Sequence, residues 1–275
     1  MRVYVSSDIE GVAGVVNAEH QNPGAGIEYQ RARRLMTEEV NAAARAAFDA
    51  GASAVVVNDA HGPNTNVLIE DLDERVQLIT GRPKALHMVH GIDEGFDAAL
   101  FLGYHARPGT AEAILDHAYL GSVVDTLRLG EREQGEFSLN AMAAGVFGVP
   151  VVMASGDDKL AAEVAELLPA TEVAVVKWAA SRTAARTLTP ATARVTIASA
   201  VTRALRSLPA ACLLRPPEPP VTLEVRFVRT SQADHAALLP GSERLDGRTV
   251  RYVGDDYLEV FRACRALLLL GSSAA

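Results

Sequence analysis

The sequence predicts an α/β protein: a mainly parallel sheet flanked by helices, with a smaller C-terminal α/β lobe. Three observations carry this. Residues 1–58 read strand, helix, strand, a βαβ unit whose right-handed crossover makes the two strands parallel. The same alternation of apolar strands and amphipathic helices continues to about residue 177. Past about Ser181 the character shifts, and Arg215-Pro216-Pro217-Glu218-Pro219-Pro220 makes a stiff, extended connector. The expected division is a larger domain over 1–181 and a smaller lobe over 182–275.

Taken in order, residues 1–5 form a short buried strand that ends in Ser6-Ser7-Asp8-Ile9-Glu10-Gly11. Residues 27–50 place Ala32, Leu35, Met36, Val40, Ala43, Ala44, Ala47 and Phe48 at spacings of three and four, a helix with one buried face that Gly51 ends. Ser53 to Asn58 is the next strand, followed by the polar loop Asp59-Ala60-His61-Gly62-Pro63-Asn64. Val76 to Thr80 is a further short strand, and residues 84–95, with His87 and His90, read as a short helix and turn. Ala98 to Gly103 is a strongly apolar strand ending in Tyr104-His105-Ala106-Arg107. Ile114 to Leu129 alternates loosely around Gly121 and Ser122, which suggests a hairpin or a pair of edge strands.

Gly135-Glu136 opens a helix to about Phe147, and Val149 to Ala154 is a strand whose terminal turn carries Asp157 and Asp158. Helix 158–168 and strand 172–177 continue the alternation. Pro190 suits the first turn of a helix running to Leu208. Strand 221–228, helix 231–239, strand 248–253 and helix 256–270 complete the smaller lobe, which offers few catalytic groups.

With 275 residues the chain can bury a large core. A net charge of −8 without any basic cluster argues against nucleic acid or an anionic membrane as partner. No apolar run reaches the roughly 18 residues of a membrane span, and the start of the chain is too short for a secretory core. Cys212 and Cys264 are far apart and outside any Cys-x-x-Cys motif, so they read as buried thiols in a reducing compartment. The expectation is a cytoplasmic protein.

Asp8 and Glu10 are two apart, so in extended backbone both carboxylates fall on one face. Alone, such a pair is most simply a solvated turn. Yet His61 and His105 also lie just past strand ends, and that edge of a parallel sheet is where ligands bind. Carboxylate and imidazole without thiolate suit Zn²⁺, and would accept Mn²⁺, Co²⁺ or Fe²⁺. With one further carboxylate the set is too large for one catalytic ion that keeps an open position, and a carboxylate bridging two ions explains the excess.

These residues belong to an ordered series of motifs: Ser7-Asp8-Ile9-Glu10-Gly11, Met36-Thr37-Glu38-Glu39, Val57-Asn58-Asp59-Ala60-His61 and Phe101-Leu102-Gly103-Tyr104-His105-Ala106. Gly135-Glu136-Phe137-Ser138-Leu139-Asn140, Gly156-Asp157-Asp158 and Ser181-Arg182 continue it. Along most of its length the chain resembles the D-aminopeptidases, binuclear zinc metallopeptidases first recognised beside bacterial dipeptide-transport genes. The resemblance implies two Zn²⁺ held by Asp8, Glu10, His61, His105 and Glu136, with Asp8 bridging. It implies a catalytic role for His117, although Asp116 and Ala118 stand where smaller hydroxylated residues are familiar. It also implies hydrolysis of short peptides with an N-terminal D-residue, such as D-Ala peptides, by a water that the two zincs activate. The expected assembly is a homo-oligomer, a decamer of two stacked pentameric rings.

Two other readings compete with this one. A binuclear metallophosphoesterase would use the same ligands but needs cationic clamps, of which the motifs supply only Arg107. A non-catalytic peptide-binding protein of the same fold would not need so many ligands. Other polar residues read as structural: Asp59 as a partner of His61 or an Asx-turn, Asp157 or Asp158 as a helix cap, and His87 and His90 as partly exposed.

Overall fold

The computed structural model describes residues 1–208 and 212–274. Its strands are β1 (Arg2–Ser7), β2 (Ala54–Asp59), β3 (Val76–Ile79), β4 (Ala98–Leu102), β5 (Val124–Leu129), β6 (Arg132–Glu133), β7 (Val151–Asp157), β8 (Glu172–Ser181), β9 (Ala184–Thr187), β10 (Val221–Phe227), β11 (Ser242–Arg244) and β12 (Thr249–Gly254). The α-helices are α1 (Ala18–Gln21), α2 (Ile27–Asp49), α3 (Glu136–Val146), α4 (Asp158–Leu167), α5 (Pro190–Ser207), α6 (Thr230–Ala236) and α7 (Tyr257–Ser272).

Seven strands form one sheet in the order β3-β2-β1-β4-β7-β8-β9, parallel except for the edge strand β9. Buried on both faces, β1, β2, β4 and β7 are near-continuous apolar runs, as central parallel strands must be. The chain leaves β1 toward β2 and β3, then returns to the other side of β1 with β4. That reversal opens a crevice at the C-terminal ends of β1 and β4.

Local chemistry places the flanking helices. α2 buries Ala32, Met36, Val40, Ala43, Ala44 and Ala47 against the sheet and stops before Gly51, whose φ of +94° suits the left-handed turn after a helix. Thr189 caps α5 by accepting from Thr192 N, with Pro190 in the first turn. Asp157, at the end of β7, caps α4 by accepting from Leu160 N.

A second, antiparallel sheet has the order β11-β12-β10-β5-β6, with α6 and α7 packed on it. It takes β5 and β6 from before residue 182. Conversely β9 and α5, which follow that residue, lie with the parallel sheet, where α5 packs on α2 and β8. The two sheets therefore share chain from both sides of the 181/182 division.

Two segments differ from expectation. Residues 84–95 hold only two 3₁₀ turns, His87–Val89 and Ile92–Glu94, because Gly91 at φ +88° separates them. No hairpin spans 114–129. Leu115 and Tyr119 have positive φ, incompatible with a strand, and the N–H groups of Ile114 and Tyr119 go to the Asp157 and Glu136 carboxylates. Only Val124–Leu129 forms a strand, and its hairpin partner is β6. Cys212 and Cys264 are both buried free thiols. Among the described residues, no helix is long and apolar enough to cross a membrane.

Candidate metal centre

The ends of β1 and β4 are locked together by two glycines. Asp8 N donates to Leu102 O at 2.8 Å, and Gly11 N donates to Gly103 O at 2.7 Å. A Cβ on Gly11 would stand 2.0 Å from Tyr104 O, and one on Gly103, at φ +68°, 2.1 Å from Asp8 O. Only backbone without side chains can cross this closely. The crossing sets Asp8 and Glu10 beside His105.

Each of three histidines spends one ring nitrogen on a main-chain carbonyl. His61 Nε2 donates to Gln21 O at 2.9 Å, His105 Nδ1 to Ala106 O at 3.0 Å, and His117 Nδ1 to Leu115 O at 2.7 Å. A carbonyl can only accept, so these bonds fix the tautomers of the neutral rings. The remaining nitrogens are then lone pairs, and all three face carboxylates. His61 Nδ1 is 3.1 Å from Asp8 Oδ1 and 3.0 Å from Glu10 Oε2. His105 Nε2 is 3.7 Å from Asp8 Oδ2 and 3.3 Å from Glu136 Oε1. His117 Nε2 is 3.8 Å from Glu10 Oε1 and 3.7 Å from Glu136 Oε1.

Lone pairs facing carboxylate oxygens in a buried site repel unless a proton or a cation lies between them. Glu10 Oε2 and His105 Nε2 are buried without a hydrogen bond in good geometry. Ligating atoms of Asp8, Glu10 and His105, and of His105, His117 and Glu136, lie within 4.8 Å of one another. Hard oxygens with imidazole nitrogens, orphaned together, fit a divalent metal such as zinc.

The electrostatics express the same crowding. Burial and the charge of Glu10 push Asp8 up to about 8. For Glu136, burial acts against ionisation but His105 outweighs it and holds the carboxyl at about 2. Burial likewise opposes the charge on His105, yet Glu136, then Glu10 and Asp8, raise it to about 10. His117 goes the other way: burial and the neighbouring His105 lower it.

The six residues expected to form the metal and catalytic site meet in this crevice: Asp8, Glu10, His61, His105, Glu136 and His117. Glu136 is the first residue of α3, and its Oε1 accepts from Tyr119 N at 2.6 Å. His117 sits in an irregular loop rather than on a strand. Asp116 in that loop accepts from Arg182 Nε at 2.9 Å, and Leu115 N donates to Arg182 O at 3.0 Å. These bonds hold the positive-φ backbone in place.

Asp59 neither touches His61 nor forms a simple turn. It accepts from Asn66 N, Asn66 Nδ2 and Val67 N, and Asn66 Nδ2 also donates to His61 O, so it braces the loop behind His61. Arg107 turns away from the metal centre: its N–H donates to Glu163, and its guanidinium lies 3.8 Å from Glu166.

Several residues of the site are not apparent from the sequence. Lys177, fully buried on β8, donates to the carbonyls of Glu10, Val12 (3.0 Å) and Val15 (2.6 Å) and so clamps the loop that carries Glu10. Glu39 of α2 accepts from Ala13 N at 2.9 Å in the same loop. Arg82, His87 and Arg265 line the cleft above Asp8, His61, His117 and Glu136. Arg265 brings α7, from the lobe expected to offer few catalytic groups, to the edge of this cleft. Its sequence signal is slight, an arginine flanking the apolar stripe formed by Cys264, Leu267 and Leu268.

A family model described as D-aminopeptidase matches residues 1–266. A D-aminopeptidase of Bacillus subtilis (strain 168) is 38% identical over 264 residues, spanning 96% of this chain and 95% of the relative. Among solved structures, the Zn-dependent D-aminopeptidase DppA from Bacillus subtilis, described as a self-compartmentalizing protease, matches with a TM-score of 0.95. That match has 36% sequence identity and covers 100% of this chain and 99% of the other.

Proposed function

Because this chain belongs to the D-aminopeptidase family, peptidase M55, we propose that it is a zinc-dependent aminopeptidase acting on short peptides with an N-terminal D-residue. The observation that carries the metal assignment is the double role of Asp8. Its Oδ1 faces the free nitrogen of His61 and its Oδ2 faces that of His105, at 3.1 and 3.7 Å. A carboxylate with a different imidazole at each oxygen is suited to be shared between two ions. In this reading Asp8, Glu10, His61, His105 and Glu136 would hold the two zinc ions, with Asp8 as the shared ligand.

Zinc at these positions would polarise the scissile carbonyl and favour deprotonation of a water. The chain's own contribution is orientation and proton handling. The carbonyls of Gln21 and Ala106 fix the two ligating imidazoles, and Lys177 fixes the loop that bears Glu10. His117 has the chemistry of a proton carrier. Its Nδ1–H is committed to Leu115 O, its lowered pKa keeps the ring neutral near pH 7, and Nε2 is free to take a proton from the attacking water. Passing that proton to the amide nitrogen as the C–N bond breaks leaves a carboxylic acid and an amine, so atoms balance. Covalent attack by the imidazole is unnecessary.

Hydrolysis of paired D- and L-alanyl dipeptides, before and after chelation and zinc return, tests this reading. Activity on the D-peptide that chelation abolishes and zinc restores is expected. Full activity in metal-free protein would overturn it.

A homo-oligomer is part of the same proposal, and a decamer of two pentameric rings is its specific form. DppA is described as self-compartmentalizing, which requires several subunits around a shared interior. Val195, Leu238, Val253 and Leu269, all after residue 182, are exposed apolar side chains available for contacts. A solution mass equal to one 29.1 kDa chain would contradict the assembly. A cytoplasmic location remains the expectation that the buried free thiols suggest.

A further inference from the structure

Arginine is rarely left without an anion when it is largely enclosed, because its five donors lose water and its charge loses solvation. Arg265 is in that position. It points from α7 into the cleft over the metal centre, with its guanidinium carbon 5.2 Å from the centroid of the Tyr119 ring. Among the described residues it has no hydrogen bond and no carboxylate within ion-pair distance, although most arginines that line other clefts here do have such partners, such as Arg182 with Asp116 or Arg107 with Glu166. Arg82 lines the same cleft, also without an ion pair among the described residues, so two arginines share this cleft. Burial and the charge of Arg82 both act against the charge on Arg265.

The position of this cation relative to the reacting end is defined by Tyr119. The N–H of Tyr119 donates to Glu136 Oε1 at 2.6 Å, while its ring lies against Arg265. The guanidinium thus stands one side chain away from a carboxylate of the metal centre. Arg265 lines the same cleft as Asp8, His61, His117 and Glu136, so an anion that it holds lies on the substrate a short way from the scissile bond. A peptide carries one obligatory anion in that direction.

From this arrangement we propose that Arg265, assisted by Arg82, binds the free C-terminal carboxylate of the peptide substrate. The proposal rests on the peptidase reading above and assigns a substrate-binding residue to it. A planar guanidinium pairs with a carboxylate through two parallel N–H···O bonds, which an uncharged amide cannot reproduce. The same pairing disfavours C-terminally blocked peptides, whose carboxylate is absent.

The test compares D-alanyl-D-alanine with its C-terminal amide as substrates of the zinc-loaded enzyme, in the wild type and in the Arg265→Met and Arg265→Lys variants. Zinc content and melting temperature are followed for each protein. The expected wild-type preference for the free acid is about 10- to 100-fold in kcat/KM, the scale of a charge-assisted hydrogen bond. Arg265→Met should lose that preference by raising KM for the acid while leaving the amide within about threefold, and Arg265→Lys should recover part of it. Equal wild-type turnover of acid and amide overturns the carboxylate assignment and leaves the peptidase reading standing. A parallel loss on both substrates in Arg265→Met, with zinc and melting unchanged, also overturns it. Hydrolysis of neither substrate by the wild type overturns the peptidase reading itself, and this proposal with it.

Discussion

The imidazoles of His105 and His117 stack face to face, with ring centroids 4.3 Å apart and planes within 7°. Both tie Nδ1 to a main-chain carbonyl and turn Nε2 toward Glu136, yet their surroundings separate them. His105 Nε2 is enclosed among Asp8, Glu10 and Glu136, whereas His117 opens onto two clefts. In the protein alone the charge favoured on His105 lowers the pKa of His117. The same ring type is thereby suited to metal ligation in one position and to proton transfer in the other.

Asp8→Asn should abolish turnover through loss of zinc. The amide keeps the shape but can offer only its oxygen to a cation, and its NH₂ would face one of the two imidazole nitrogens. Elemental analysis of the purified variant checks this, and an inactive protein with full zinc content would remove Asp8 from the ligand set.

His117→Ala should keep the fold and its zinc while turnover falls roughly 10²- to 10⁴-fold, the usual contribution of a general acid or base. Steady-state kinetics with metal analysis decide it. Turnover near the wild-type value would refute the assignment, and a trapped acyl-imidazole would make His117 a nucleophile instead.

Lys177→Met should weaken both the fold and zinc binding. The three carbonyls that Lys177 satisfies can use three N–H donors only if the amine is protonated, and methionine offers none. Val12 O keeps its bond from Val15 N, but leaving the carbonyls of Glu10 and Val15 without a donor costs about 2 kcal/mol or more. Denaturant titration measures the first effect and competition with a chelator the second. A destabilised variant with unchanged zinc affinity would reduce Lys177 to a packing role.

Zinc uptake should release protons. Burial and Glu10 raise Asp8 to about 8, and the surrounding carboxylates, against burial, raise His105 to about 10. Groups with pKa values above 7 hold protons at neutral pH in the metal-free protein, while zinc binds only their deprotonated forms. The sign follows: apparent affinity should rise as pH increases from about 6 to 8 and weaken toward acid. Calorimetry in buffers of different ionisation enthalpy reads the released protons directly, and a buffer-independent heat would contradict this.

By itself the sequence determined the parallel α/β order and the residues at its strand ends. Those features are local. The burial of both faces of β1, β2 and β4 requires continuous apolar runs, and the point where each run stops marks where Asp8, His61 and His105 emerge. The motif series added Glu136 and His117, whose own neighbourhoods carry little signal. Only the tertiary structure decided the rest. Lys177 meets Glu10 across 167 positions, and Arg265 comes to Tyr119 from the last helix. The loop around His117 takes positive φ because distant groups, Asp157, Arg182 and Glu136, capture its backbone. A solitary buried lysine or a stripe-edge arginine has no periodicity of its own, so its role exists only once packing has chosen its neighbours.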